Sequence, residues 1–200
     1  MDTPTDARTR LVAAAQEMFA AQGVGATSPR QVLHASGVGQ GSLYHHFPTK
    51  HDLAVAAVGA TVDDALAAAR RDLADSPDSP DSPGAADPVD RVVAYLERPR
   101  DALAGCKVGR LTSDQAVMDD DGLRDVVTAY FVRLLDAVAA TLREAGLPDD
   151  AAQDRAHAAV AIVQGGYVLA RATGDPEAMR AAVRGFVALL TPRTPTEGDR

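Results

Sequence analysis

The sequence is poor in cysteine, in aromatic residues and in long apolar runs, and each shortage excludes a class of protein. Cys106 is the single cysteine of 200 residues, so neither an intramolecular disulfide nor a zinc site built from a cysteine cluster can form. Tryptophan is absent and aromatic residues make up 4%, which leaves Ala, Val and Leu to fill a core. No apolar run reaches the ~18 residues of a membrane span, and residues 1–10 lack the basic-then-apolar order of a signal peptide. We expect a cytoplasmic globular protein without a membrane partner.

The acidic residues are unevenly distributed along the chain. Four basic and four acidic residues balance in residues 1–53, so the formal net charge of -8 comes entirely from the remainder. Four of the five histidines also lie in that first part, namely His34, His45, His46 and His51. The two parts therefore differ in surface chemistry, which indicates two modules, and the neutral first module is compatible with a nucleic-acid partner despite the acidic total.

Three helices are predicted in the first fifty residues. Apolar residues recur at helical spacing from Leu11 to Phe19, which predicts a helix from about Asp6 to Gln22. The run Ser28-Pro29-Arg30-Gln31 places a capping Ser before Pro and a Gln three residues later, the pattern of a helix start. This second helix ends before Gly37, and a third runs from Gly39 or Gln40 through His46.

The rest of the chain also favours helices throughout. We expect a helix from Lys50 to about Leu73, one from Pro88 to before Pro99, and a sixth beginning near Cys106. Three longer helices follow: one after Asp121 that ends before Gly146, one from Asp149 to Arg171, and a last one that begins after Gly174-Asp175-Pro176 and carries an apolar stripe from Met179 to Leu190. Residues 76–87, which contain an Asp-Ser-Pro repeat, are predicted to form a mobile loop, and residues 194–200 a disordered tail. No stretch alternates as a strand does, so the fold class is all-α.

No pattern predicts catalysis. There is no nucleophile elbow, and no Gly-rich phosphate loop follows a strand. Asp119, Asp120 and Asp121 precede a strongly periodic helix, and they suit its positive N-terminus better than a metal ion. We expect a protein that is not an enzyme, with no catalytic residue, no cofactor and no metal site.

A short capped helix, a tight glycine turn and a short helix with a polar face make up the pattern of a helix-turn-helix. The segment ATSPRQVLHASGVGQGSLYHHFPTKHDL, residues 26–53, resembles the DNA-binding signature of TetR-family repressors. That family usually has Ser where this chain has Gly39, and smaller or more acidic residues at Leu33 and His34. The resemblance implies a helix-turn-helix DNA-binding domain over residues 1–50 and an effector-binding and dimerisation domain over residues 51–193, with three and six helices respectively.

The predicted third helix carries the candidate DNA contacts. Gln40 and Ser42 at its start can reach base edges, while Tyr44, His45 and Thr27 can donate to phosphates and Lys50 adds a charge. The predicted DNA-binding set is Thr27, Ser28, Gln40, Gly41, Ser42, Tyr44, His45 and Lys50. The alternative is that these are solvated polar residues of a helical interaction or scaffold protein that does not bind DNA.

The resemblance implies a ligand-responsive homodimer whose last two helices form a four-helix bundle with their partners. Small residues at Ala158, Ala159, Ala161 and Gly165 would allow close approach, with Phe186 and Leu190 as apolar anchors. For a small, largely apolar effector that releases the repressor from a palindromic operator, we predict a pocket that combines bulky apolar groups with polar tips. Its candidate residues are Tyr95, Leu103, Cys106, Met118, Phe131, Gln164 and Tyr167.

A second hypothesis makes Cys106 an electrophile or redox sensor. Residues 105–111, GCKVGRL, resemble the start of the sixth helix in a branch of the family close to regulators of drug efflux and electrophile stress. A helix N-terminus and the adjacent Lys107 would favour the reactive thiolate. A small hydrophobe buried in the core is the alternative role for this residue.

Overall fold

The chain folds into helices joined by short turns. The computed structural model describes residues 4–74 and 87–190, and within those ranges it contains nine α-helices and one short 3-10 helix. The helices are α1 (Pro4–Gln22), α2 (Pro29–Ser36), α3 (Gln40–His46), α4 (Lys50–Leu73), α5 (Pro88–Glu97), the 3-10 helix (Gly109–Ser113), α6 (Gln115–Met118), α7 (Asp121–Glu144), α8 (Asp149–Thr173) and α9 (Glu177–Leu190). The all-α prediction is confirmed, and no helix in these ranges is long and apolar enough to cross a membrane.

Local signals position the boundaries of the short helices as predicted. Ser28 and Gln31 form a reciprocal capping box, in which the Ser28 amide donates to Gln31 Oε1 at 2.8 Å and the Gln31 amide donates to Ser28 Oγ at 3.3 Å. Gly37 ends α2 in the left-handed conformation, with φ of 64°, where a side chain would be strained. Asp120 caps α7 through the Leu123 amide at 3.0 Å, as expected for an acidic helix start.

The prediction of a sixth helix beginning near Cys106 is wrong. Cys106 lies among turns, three residues before the 3-10 helix, and α6 begins only at Gln115. Asp114 caps α6 by accepting from the Ala116 amide at 3.0 Å, a polar signal that the apolar pattern did not reveal. The predicted loop of residues 76–87, except for Asp87, and the predicted tail of residues 194–200 lie outside the described residues.

The described residues divide into two compact units. Unit one is drawn from residues 1–67 and 107–132, and unit two from residues 68–106 and 133–200. Residues 107–132 therefore group with the helix-turn-helix, although the domain boundary predicted from sequence lies at residue 50. The core of unit one combines α1, α2, α3 and α4 through buried residues that include Leu11, Phe19, Val32, Leu43, Phe47, Leu53 and Val58.

Unit two packs α8 and α9 closely and buries one ion pair. A Cβ on Gly166 of α8 would lie 2.8 Å from Cγ and 3.3 Å from Cα of Met179 in α9, so a larger residue at this position would displace Met179. The guanidinium of Arg91, which is 8% exposed, donates to the Leu73 carbonyl at 3.1 Å and pairs with Glu144. The apolar core of this unit includes Tyr95, Leu96, Leu134, Val138, Leu142, Val160, Val163 and Val183.

Candidate DNA-binding surface

The helix-turn-helix is held by contacts that reach back to α1. Arg10 donates from Nε and Nη2 to the Ser36 carbonyl, at 3.1 and 2.6 Å, and so satisfies the end of α2. A Cβ on Gly37 would lie 2.9 Å from Arg10 Nη2, the flexible end of that side chain, so the positive φ rather than this contact is what requires glycine here. Arg8 lies over the ring of Phe47, 5.4 Å from its centroid. Both arginines therefore orient α2 and α3.

The third helix presents the predicted polar face. Leu43 and Phe47 are buried, with 2% and 3% of their surface exposed. The opposite side of α3 therefore faces solvent. Gln40, Gly41 and His45 are exposed, Tyr44 is 47% exposed, and Ser42 is half-buried. A short helix with base-reaching side chains at its exposed start has the form required for entry into a major groove.

Thr27 and Ser28 are predicted from sequence to contact DNA, but their hydroxyl groups make hydrogen bonds within the protein. Thr27 is 2% exposed, and its hydroxyl donates to the Gly23 carbonyl at 2.7 Å while accepting from Gln22 at 3.2 Å. That single hydroxyl hydrogen is therefore not available for a phosphate. The Ser28 hydroxyl donates to Gln31 within the capping box at 2.8 Å. These two residues shape the start of α2, whereas Gln40, Ser42, Tyr44 and His45 remain as the outward set.

Lys50 lies at the start of α4, beside the turn that follows α1. Its ammonium donates to the Gly25 carbonyl at 3.4 Å and is otherwise exposed, so it retains two hydrogens for a phosphate. Thr49 and Asp52 cap this helix reciprocally: the Thr49 amide donates to Asp52 Oδ2 at 2.9 Å and the Asp52 amide donates to Thr49 Oγ1 at 3.1 Å. Lys50 thus places one exposed ammonium at the start of α4, four residues after the end of α3.

Residues 107–115 hold the end of α1 and the turn to α2, a role not identified from sequence. The Asp114 carboxylate accepts from the Val24 amide at 2.5 Å and from the Gly25 amide at 3.4 Å. Arg110 donates to the Ala21 carbonyl at 3.2 Å, and Lys107 pairs with Glu17 at 2.9 Å. The sequence separation is about ninety residues in each case, so no local pattern could reveal these contacts.

Four of the predicted effector residues meet in unit two. The Gln164 amide donates to Cys106 Sγ at 3.5 Å, and Tyr95 and Tyr167 both interact electrostatically with Cys106. Leu103 of the same unit is 46% exposed. Met118 and Phe131 belong to unit one, where both are half-buried and the Phe131 ring packs edge-on against Tyr130 at 5.0 Å.

Burial governs the ionisation of the two tyrosines. Desolvation raises the pKa of Tyr167 to about 12, and the neighbouring Cys106 adds to this rise while Arg100 opposes it. Desolvation also raises the pKa of Tyr95, against the opposing charges of Arg100 and Arg98. Both phenols are neutral donors at physiological pH, suited to a ligand that carries acceptors.

The two features expected to favour a Cys106 thiolate are not found. No helix begins at Cys106, and the ammonium of Lys107 pairs with Glu17 in unit one. The electrophile-sensing hypothesis therefore loses the structural argument from which it was drawn.

The predicted dimerisation residues lie on α8 and α9, in unit two. Ala161 is exposed, and Ala158, Gly165, Phe186 and Leu190 are half-buried. Ala159 is 1% exposed and packs inside the unit instead. The same two helices expose three large apolar side chains that the sequence reasoning missed: Val168 at 66%, Leu169 at 49% and Leu189 at 80%.

Two family models match the chain in succession. The model of bacterial regulatory proteins of the tetR family covers residues 11–57, which contain the whole helix-turn-helix, and the C-terminal domain model of LmrA/YxaF-like transcriptional regulators covers residues 88–184. The chain belongs to the TetR family of transcriptional regulators. It is accordingly a DNA-binding regulator and not an enzyme, as predicted from sequence.

Individual relatives agree with this TetR-family assignment. The chain is 26% identical over 182 residues to the uncharacterized HTH-type transcriptional regulator YxaF of Bacillus subtilis, covering 88% of this chain and 90% of that protein. It is 39% identical over 57 residues to the HTH-type transcriptional repressor KstR2 of Rhodococcus jostii, 28% of each chain. A TetR transcriptional regulator from Chloroflexus aurantiacus has the same fold, with a TM-score of 0.78 at 24% identity over 96% of this chain and 98% of that one.

Proposed function

We propose that this TetR-family regulator is a dimeric repressor that binds a palindromic operator through α3 and is released by a small, largely apolar effector. The observation that carries the proposal is the geometry of α3, whose apolar side is buried through Leu43 and Phe47 while Gln40, Tyr44 and His45 are exposed. The similarity over 57 residues to a named repressor, KstR2, supports repression rather than activation.

The DNA contacts divide into two kinds. Gln40 is exposed at the first residue of α3 and, with Ser42, supplies side chains that hydrogen-bond base edges. Lys50, Tyr44 and His45 supply positive charge or donors to phosphates, which position the helix without reading sequence. In a two-fold dimer the two α3 helices meet half-sites about 34 Å apart, or a multiple of that distance.

The exposed apolar face of α8 and α9 supports dimerisation there. A Cβ on either Gly165 or Gly185 would meet nothing within 4 Å, so nothing in the described chain explains a glycine at these helical positions. Glycine in a helix interior costs about 1 kcal/mol relative to alanine, and close approach of a second copy offsets that cost. Val168, Leu169 and Leu189 supply the apolar area.

The effector acts on the dimer by favouring a conformation that does not match the spacing of the half-sites. A tenfold loss of operator affinity requires about 1.4 kcal/mol of differential binding between the two conformations. The cluster of Tyr95, Gln164 and Tyr167 around Cys106 provides neutral donors, which suit a largely apolar ligand with a few acceptors.

The test is a mobility-shift titration on the DNA upstream of the gene and on a scrambled duplex of equal length. Lys50→Ala should weaken binding to both duplexes alike and reduce the salt dependence, whereas Gln40→Ala should weaken the specific complex by about tenfold and the scrambled complex little. Arg133→Ala, which removes an exposed positive charge from α7, is the matched control and should change neither. If Gln40→Ala lost the same binding affinity for both duplexes, its role as a base reader would be contradicted. If wild-type protein showed no preference for the upstream DNA, the proposal that this DNA contains an operator would be contradicted.

A further inference from the structure

A groove of about 440 Å³ lies in unit two, between the end of α5 with its following turn and one side of α9. Its floor is apolar and is built from Leu96, Ala102, Met179 and Val183. Its charged lining consists of one acidic residue, Glu97, and four arginines, Arg98 and Arg100 after α5 and Arg180 and Arg184 on α9. We name it the arginine groove. None of these residues belongs to the effector set predicted from sequence.

The concentration of arginine contrasts with the surrounding charge. Beyond residue 53 the chain is acidic and carries the entire net charge of -8, yet four guanidinium groups line one groove. Three of them have carboxylate partners: Arg98 pairs with Asp72 at 2.8 Å, and Arg180 and Arg184 share Glu177 at 2.6 and 2.7 Å. Each of these pairs occupies one of the five N–H donors of its arginine, so donors remain for a further anion.

Arg100 is the exception among the four. Its guanidinium donates to the backbone carbonyls of Leu96 at 2.8 Å, Arg98 at 2.9 Å and Tyr95, and none of its ion partners in the described residues is a directly paired carboxylate. Burial, and next the charge of Arg98, lower the pKa of Arg100, so an anion arriving nearby would offset an existing electrostatic cost. Its guanidinium also lies 5.3 Å from the centroid of the Tyr95 ring, which joins the groove to the tyrosine cluster.

We propose that the arginine groove binds an amphiphilic organic anion, with its carboxylate or phosphate at the arginines and its apolar body on the floor. The volume is within the range of about 300–1,000 Å³ that small-molecule sites occupy. Arginine binds carboxylate and phosphate through paired N–H donors, which gives the charged end its orientation. This inference rests on the proposed function, because it assigns a chemical class to the effector.

The groove and the proposed dimer face lie on different sides of α9. Arg184 and Leu189 are five residues apart, about 140° around the helix axis, so substitutions in the groove leave the apolar face intact. Arg180 and Arg184 are exposed, and both pair with the half-buried Glu177 of the same helix. They are therefore the arginines whose replacement least disturbs the fold.

The experiment measures binding of decanoate to the full chain by titration calorimetry, with decanol as an uncharged probe of the same length. Wild-type protein should bind decanoate at least about tenfold more tightly than decanol. The double variant Arg180→Gln/Arg184→Gln should lose about tenfold or more in decanoate affinity. The matched double variant Arg133→Gln/Arg155→Gln, which removes two exposed arginines outside the groove, should keep decanoate affinity within about twofold.

Circular dichroism and the melting temperature without ligand establish that both double variants are folded. The inference is overturned if wild-type protein does not bind decanoate, if decanol binds as well as decanoate, or if the groove variant retains decanoate affinity. The mobility shift on upstream DNA separates the two proposals. If decanoate binds through the groove but leaves operator affinity unchanged, the site is supported and the effector mechanism is contradicted. If the protein binds the operator but does not bind decanoate, only the site is contradicted.

Discussion

Gly39 begins the recognition helix α3 without a side-chain cap. Its φ of -73° and ψ of 150° are angles that any residue adopts, and a Cβ there would meet nothing within 4 Å. The Gly39 carbonyl already accepts from the amides of Ser42 and Leu43 at 3.0 and 3.1 Å, which begins the helix. The glycine is thus permitted by the geometry but not required by it, in contrast to Gly37 at φ 64°.

Replacement Gly39→Ser should stabilise α3 and strengthen DNA binding. A serine Oγ would accept an orphan amide hydrogen of the first turn, adding a few tenths of a kcal/mol, and its hydroxyl could donate to a phosphate. We expect operator affinity to rise by about two- to threefold in the mobility shift. Gly59→Ser, at a position in α4 that also has open space around it, is the control and should leave operator affinity unchanged. A fall in affinity for Gly39→Ser would show that the backbone at residue 39 approaches DNA too closely for a side chain.

At the scale of elements, α6 is short but connects two distant parts of the chain. Asp114 caps α6 with Oδ1 and holds the turn after α1 with Oδ2, through the Val24 amide at 2.5 Å. A Cβ on Gly23 would lie 2.8 Å from Oδ2, and Gly23 has φ of 90°, so the turn accepts only a glycine there. One carboxylate therefore couples residues 107–118 to the helix-turn-helix within unit one.

Loss of this carboxylate should destabilise unit one. Asp114→Ala removes a helix cap and two turn hydrogen bonds, and we expect the free energy of unfolding to fall by about 2 kcal/mol in urea denaturation. Asp114→Asn keeps one acceptor oxygen and should lose about half as much. Asp119→Ala is the control, because its exposed carboxylate accepts one local hydrogen bond, from Gln115 at 2.6 Å, and it should change stability by less than about 0.5 kcal/mol. An alanine variant as stable as wild type would contradict this role for Asp114.

At the scale of the whole molecule, α8 and α9 each bury one side and expose another that is also apolar. Val163 and Val183 are buried at 3% and 5%, while Val168 and Leu189 are 66% and 80% exposed. Large apolar patches on a protein surface indicate an interface, and a two-fold dimer presents the same patch twice.

Replacement Leu189→Asp should produce monomers. Because Leu189 is 80% exposed, the substitution costs little within one chain, whereas it places a carboxylate in the proposed interface. Light scattering should report the mass of one 20.8 kDa chain, with helix content unchanged by circular dichroism, and operator affinity should fall by more than about tenfold. Val132→Asp, on α7 at 50% exposure, should remain dimeric. A Leu189→Asp variant that is still dimeric would exclude this face.

Local chemistry made much of this protein predictable from its sequence. Capping at Ser28, termination at Gly37 and the polar exposed face of α3 depend on residues within one or two turns of each other, so propensity and spacing predict them. The same holds for the buried side of each long helix, which follows from the period of its apolar residues. The family resemblance rested on that same local segment.

Tertiary structure alone decided which distant residues meet. The sequence by itself determined a helix-turn-helix and eight of the nine α-helices in the described residues, but no local signal indicates that Asp114 holds the turn after α1, or that arginines about 80 residues apart line one groove. Thr27 illustrates the same limit, because its burial depends on how α1, α2 and the following turn pack. Hydrogen bonds and ion pairs between distant residues depend on the packing of whole helices, and periodicity records only which side of a helix is buried, not what covers it.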